Sequence, residues 1–100
     1  MAKRPLEGEL LTDAYVFTHP VRYRILGLLG KRPMYINALS SAMGEKRGLV
    51  AYHLAVLQER GFVKSKYEIF VLLNQKGIAL KVYTVTDKVA EVKAKLKKAL

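Results

Sequence analysis

Cysteine is absent from this 100-residue chain. That excludes a disulfide scaffold, thiol catalysis and thiolate metal sites, and it suits a reducing cytoplasm. Histidine is scarce as well. His19 and His53 are the only two, and neither has a Cys, His, Asp or Glu at a helical ligand spacing. Zinc takes three or four protein ligands, so no metal and no cofactor is expected. Acidic residues number 8, with aspartate only at Asp13 and Asp87. No carboxylate pair and no Ser/His/Asp set is suggested, so the chain is not expected to be an enzyme. Long apolar runs are missing too. The longest, Ile69 to Leu73, has five residues, against the ~20 that span a bilayer. The opening Met1 to Glu9 has basic residues with no apolar stretch behind them, so no signal peptide is expected.

What remains is a small hydrophobic chain with a large positive charge. Hydrophobic residues make up 51% of the sequence, enough for one domain over residues 1–100 without a metal or disulfide. Lys and Arg total 18, giving a net charge of +10. The excess is spread evenly, with eight basic and four acidic residues in the first half and ten and four in the second. A chain so charged attracts polyanions, and nucleic acid is the first partner to test.

Periodicity gives the order helix, helix, short strand, helix, helix, hairpin, helix. Leu6, Leu10, Ala14 and Phe17 form the stripe of a first helix over 6–17, ended by His19-Pro20. Pro20 opens a second helix capped by Thr18 or His19, with Val21, Ile25, Leu28 and Leu29 inward and Arg22 and Arg24 in solvent. After an extended Met34 to Ile36, a short third helix runs Asn37 to Met43 and stops at Gly44. A fourth helix occupies 47–60, with Val50, Leu54 and Leu57 inward, Gly61 as its stop and Phe62 as the closing apolar contact. Phe62 to Leu73 and Ile78 to Thr86 read as the strands of a hairpin turning at Asn74 to Gly77. The last helix follows a Thr86 or Asp87 cap and carries Val89, Val92 and Leu96 on one stripe.

Two helices around a turn at Gly44, followed by a hairpin, is the order of a winged helix-turn-helix. The segments His19 to Leu29, Ile36 to Gly44 and Gly48 to Val63 resemble the archaeal and bacterial winged-helix transcriptional regulators of the ArsR/MarR-like superfamily, and Lys76-Gly77 with Tyr83 to Asp87 resemble the second wing strand and closing helix. The resemblance covers about residues 18–92. It implies an α+β, mostly helical fold: a winged helix-turn-helix with an added N-terminal and C-terminal helix. It also implies a sequence-specific transcriptional regulator, a repressor, that binds double-stranded DNA as a homodimer.

In that fold the fourth helix lies in the major groove with its first two turns toward base edges. The expected DNA-contacting residues are therefore Lys46, Arg47, Gly48, Ala51 and Tyr52, with His53 on the flank and Lys66 and Lys76 from the wing. Arg47 suits guanine acceptors, Tyr52 a phosphate or a thymine methyl, and Gly48 and Ala51 let the backbone come close. Leu6, Leu10, Ala14 and Phe17, with Val89, Val92 and Leu96, are the expected dimer interface, through helices 6–17 and 87–100. The sequence departs from the family pattern at two places. Lys46 stands where Ser or Thr often caps the fourth helix, and it has no acceptor to offer an N–H. The wing carries the apolar Ile69 to Leu73 where Arg or Lys is common, a run expected to be covered by a partner subunit or by the chain's own helices.

A second reading stays open, that of an architectural or chromatin-like protein that binds DNA mainly by charge. Other signals are weak. Gly27 to Lys31 lacks the spacer and the hydroxyl of a phosphate-binding loop. The Lys-rich closing helix has no Trp or Phe on its apolar face, so membrane association is not expected.

Overall fold

The structure, a computed structural model, describes residues 8–71 and 77–99. Its elements are α1 (Gly8–Thr18), α2 (Pro20–Leu29), β1 (Met34–Tyr35), α3 (Ile36–Met43), α4 (Arg47–Glu59), β2 (Val63–Phe70), β3 (Ile78–Val85) and α5 (Lys88–Ala99). This is the mostly helical α+β winged helix expected from the pattern, and its order follows from local chemistry. The His19 ring Nδ1 accepts the Val21 N–H at 3.2 Å, and Pro20 fills the first helical position, where no N–H is needed. Gly44 stops α3 at φ 65°, with the Gly44 and Glu45 N–H groups donating to the Ser41 and Ser40 carbonyls. Gly61 stops α4 in the same way at φ 82°, with Phe62 N–H on the Leu57 carbonyl. Both ends are Schellman closures, which require the left-handed conformation that glycine adopts at least cost.

The three strands form an antiparallel sheet in the order β1-β3-β2. The β2–β3 ladder runs from Val63↔Val85 to Phe70↔Ile78, so regular pairing on β2 ends before Val71 and the strand is shorter than its apolar composition suggested. The expected turn residues 74–76, with Leu72 and Leu73, lie outside the described residues, as does Leu6 of the expected interface.

The core gathers Phe17, Ile25, Leu39, Leu54, Leu57 and Phe62, each at most 4% exposed. It also corrects three expectations. Arg22 is not in solvent but 5% exposed, because it shares the inner stripe of α2 with Ile25, Leu26 and Leu29. Phe17 and Val92, expected between subunits, are 4% and 3% exposed within the single chain. Phe17 meets Tyr23 edge-on at 5.6 Å and Phe62 at 5.9 Å, so the hydrophobic core already uses it. Leu10, Val89 and Leu96 pack partly against the same core. Among the described residues no helix is long and apolar enough to cross a membrane.

Candidate nucleic-acid interface

Three residues, Gly44 to Lys46, join α3 to α4. Arg24 braces the turn from α2, donating to the Met43 carbonyl at 3.3 Å. Lys46 occupies the N-cap of α4 with extended backbone and makes no side-chain cap bond, as its chemistry requires. The first turn of α4 therefore leaves N–H groups without a protein side chain to accept them, at the end of the helix where the dipole is positive.

The inner stripe of α4 is Val50, His53, Leu54 and Leu57, all buried. Lys46 and Arg47 at the start of the helix, and Gly48, Ala51 and Tyr52 beyond them, are all exposed, Tyr52 by 61%. Five of the residues assigned to a DNA face are thus open to solvent. An added Cβ at Gly48 would meet nothing within 4 Å, so the glycine is not there to relieve crowding inside the protein. Lys66 is exposed on β2 and pairs with Glu68 at 3.5 Å, while Lys76 lies outside the described residues.

His53 does not belong to that face. It is 4% exposed, and its Nδ1 lies 3.1 Å from Arg22 Nη1. A guanidinium only donates, so Nδ1 accepts and the ring is neutral with its proton on Nε2. Burial, followed by the charges of His19 and Arg22, holds the His53 pKa below its ordinary value. The His19 ring lies 4.5 Å from that of His53. Arg22 Nε donates in turn to the Val16 carbonyl at 2.7 Å, filling an acceptor in the last turn of α1. A chain of bonds thus runs from α1 through α2 to the middle of the exposed helix.

A second buried charge fixes the end of α4. Asp13 on α1 is 4% exposed, and its Oδ1 accepts from Arg60 Nη2 at 2.6 Å and Nε at 3.1 Å. Lys88, at the start of α5, approaches the same oxygen at 3.2 Å and donates to the Arg60 carbonyl. Burial pushes the Asp13 carboxyl up, but the bonds and charges of Arg60 and Lys88 outweigh it and hold the pKa below the usual value. No reading of the sequence pairs Arg22 with His53 or Asp13 with Arg60. The signal that was present is spacing, because Asp13, Arg22 and His53 each fall on the inner stripe of their helix. Among the described residues no three His, Cys, Asp or Glu side chains come together as metal ligands would.

Comparison with known proteins places this geometry. The Helix-turn-helix domain family matches residues 17–66, from the end of α1 through the first half of β2. No curated protein sequence matches the chain significantly. Among solved structures, reduced HlyU from Vibrio cholerae superposes with a TM-score of 0.69 at 22% identity, over 89% of this chain and 82% of that one. The transcriptional repressor BigR from Xylella fastidiosa gives 0.67 at 23% identity, over 86% and 78%. TA0346 from Thermoplasma acidophilum gives 0.63 at 30% identity, over 80% and 79%.

Proposed function

Since this chain belongs to the helix-turn-helix family and is a winged-helix, DNA-binding transcriptional regulator, we propose that it acts in the cytoplasm as a homodimeric, sequence-specific repressor that reads the major groove with α4. The observation that carries the reading is the exposed first two turns of α4, where Arg47 and Tyr52 flank the small Gly48 and Ala51. Small residues let the helix backbone approach base edges, and Arg47 then reaches the guanine acceptors with two donors. Lys46, at the helix start, meets a phosphate and positions the helix without reading sequence. BigR, which shares the fold, is a repressor, and that supports the sign of regulation.

Dimerisation through α1 and α5 needs apolar surface that the core has not used. Leu11 and Tyr15, one turn apart on α1, are 52% and 76% exposed. With the half-buried Leu10, Ala14, Val89 and Leu96 they supply it. A two-fold pair spaces two recognition helices about one DNA turn apart, roughly 34 Å.

The test is selection of bound DNA from a random pool, followed by titration of the selected and random duplexes across a salt series. An affinity ratio above ~10³ and a palindromic site support the regulator. Arg47→Ala is expected to lose about 1–3 kcal/mol on the selected site alone, and Lys46→Ala to weaken both DNAs alike with a salt slope lower by about one. Net charge of +10 favours a second reading, an architectural protein that binds by charge. Under that reading no site is selected, and both variants weaken all DNA equally.

A further inference from the structure

The sheet ends at β2. In the order β1-β3-β2 this strand bonds to β3 on one side alone, and among the described residues no strand lies along its other edge. Helix α4 reaches the base of that edge, where Gln58 Nε2 donates to Ser65 Oγ at 3.2 Å. Beyond Ser65, Lys66, Tyr67, Ile69 and Phe70 are exposed. An edge strand of 8 residues with neither proline nor glycine is a template for another strand. Lysine blunts such an edge by repelling its own copy. Here Glu68 follows Lys64 and Lys66 and supplies the opposite sign.

Charge indicates which strand, and in which register. Side chains alternate between faces, so Lys64, Lys66, Glu68 and Phe70 share one face and Ser65, Tyr67 and Ile69 the other. Two antiparallel copies of β2 related by an axis normal to the sheet keep each face on its own side. The axis must then pair one residue with its own copy. Centred on Lys66 the register sets two ammonium groups against each other, and centred on Glu68 two carboxylates. Centred on Tyr67 it sets Lys66 of each copy opposite Glu68 of the other, twice, with no like charges opposed. Within one chain these two side chains form only a surface pair at 3.5 Å, with 70% and 42% of each side chain exposed. On the other face Tyr67 meets its own copy and Ile69 lies diagonally to it, which covers side chains from residues now 69% and 73% exposed. Lys81, paired with Tyr67 on β3, shares that face. Its two copies stand three strand spacings apart, about 14 Å, beyond the ~8 Å screening length of physiological salt.

We propose that the free edge of β2 pairs with the β2 edge of a second copy, antiparallel and centred on Tyr67, and so couples regulators bound at neighbouring DNA sites. The edge contact stands on the sheet alone; its coupling role rests on the DNA-binding function above. It uses none of the surface assigned to the α1 and α5 interface. A chain with two separate two-fold contacts builds an open row of dimers instead of a closed assembly. The contact is short, and free chains of net charge +10 repel each other, so it does not hold the protein together in dilute solution. DNA neutralises that charge and sets copies side by side, which raises their effective concentration.

The chain has no cysteine, so a single introduced thiol reports the contact in the full-length protein. Opposed Cβ atoms on paired strands lie about 4.5–5.5 Å apart, so Tyr67→Cys is expected to form a disulfide between copies under mild oxidation of concentrated protein. Ile69→Cys is expected not to, because the two copies of that position lie roughly 13 Å apart along the strands. Adding Lys66→Glu to Tyr67→Cys opposes carboxylates and is expected to slow the cross-link about tenfold, and adding Glu68→Lys as well restores it. The two single charge variants, each slow alone, are expected to cross-link quickly when mixed. On duplexes with one or two selected sites, the two-site to one-site affinity ratio is expected to fall with Lys66→Glu and recover with the swap; the ratio is used because Lys66 is itself a candidate DNA contact. No cross-link from Tyr67→Cys, an equal one from Ile69→Cys, or no recovery on swapping charges overturns the edge contact and leaves the regulator reading intact. A cross-link with an unchanged ratio overturns the coupling. Absence of DNA binding overturns the regulator reading and the coupling with it, while the cross-link, read without DNA, still decides the edge contact.

Discussion

His53 Nδ1 on α4 accepts a hydrogen bond from Arg22 Nη1 on α2 at 3.1 Å, with both residues at most 5% exposed. The bond exists only while His53 is neutral, and protonation would place two cations in contact in the interior. Burial and the neighbouring His19 and Arg22 lower the folded-state pKa below 6.5. The stabilisation is therefore complete above pH 6.5 and is lost as pH falls through the folded value. The thermal midpoint of wild type is expected to drop as pH falls below 6.5, while His53→Gln, which keeps an acceptor that does not titrate, shows a flatter profile. Parallel profiles from calorimetry would refute the neutral-acceptor role.

Asp13 gives an independent expectation. Removing its charge leaves Arg60 and Lys88 without their shared partner, although both keep some access to water at 31% and 26% side-chain exposure. Asp13→Asn is expected to cost about 3 kcal/mol in urea unfolding, near the lower end for a broken buried pair. Its pKa is lowered from 3.8, so the wild-type contribution is present above that pH and disappears as pH falls through the folded value. A loss below about 0.5 kcal/mol would mean the cluster is no stronger than a surface pair.

Gly48 separates stability from binding. It is helical, its φ is not positive, and an added methyl meets nothing within the protein. Gly48→Ala is therefore expected to stabilise the fold by about 0.5–1 kcal/mol. If α4 approaches the groove closely, the same methyl weakens DNA binding. A variant both more stable and equally tight on DNA would show that the backbone does not come near the bases.

Tyr15 tests the assembly. At 76% exposure it contributes little to its own chain, so Tyr15→Lys is expected to change monomer stability by less than about 0.5 kcal/mol. In sedimentation the wild-type dimer is expected to give way to monomer at tens of micromolar in the variant. Wild type that already sediments as a monomer, or a variant that still dimerises, would remove α1 from the interface.

Much of the fold was legible in the sequence because it depends on local rules. Gly44 and Gly61 mark helix stops, Pro20 marks a start, and Val50, Leu54 and Leu57 define the inner side of α4 so clearly that its outer side follows by subtraction. The charged interior was not legible. Arg22 stands among Val21, Tyr23 and Arg24, and polarity suggests solvent. Its spacing to Ile25, Leu26 and Leu29, at three, four and seven residues, suggests burial, and the structure follows the spacing. Asp13 with Val16 and Phe17, and His53 with Val50, Leu54 and Leu57, repeat the case. What makes these side chains tolerable inside is a partner 31 or 47 residues away, and no local pattern carries that information.

The placement of those partners limits how α4 moves. Arg22 grips it at His53, and Asp13 grips it at Arg60, seven residues or two turns further on, about 10 Å along the axis. A rod held at one point pivots and rolls; a rod held at two does neither. Both grips lead back to α1, one through the Val16 carbonyl and one directly. Any force that tilts α1, such as a twin chain seated against Leu11 and Tyr15, must therefore carry α4 with it, as a key turns with its bow.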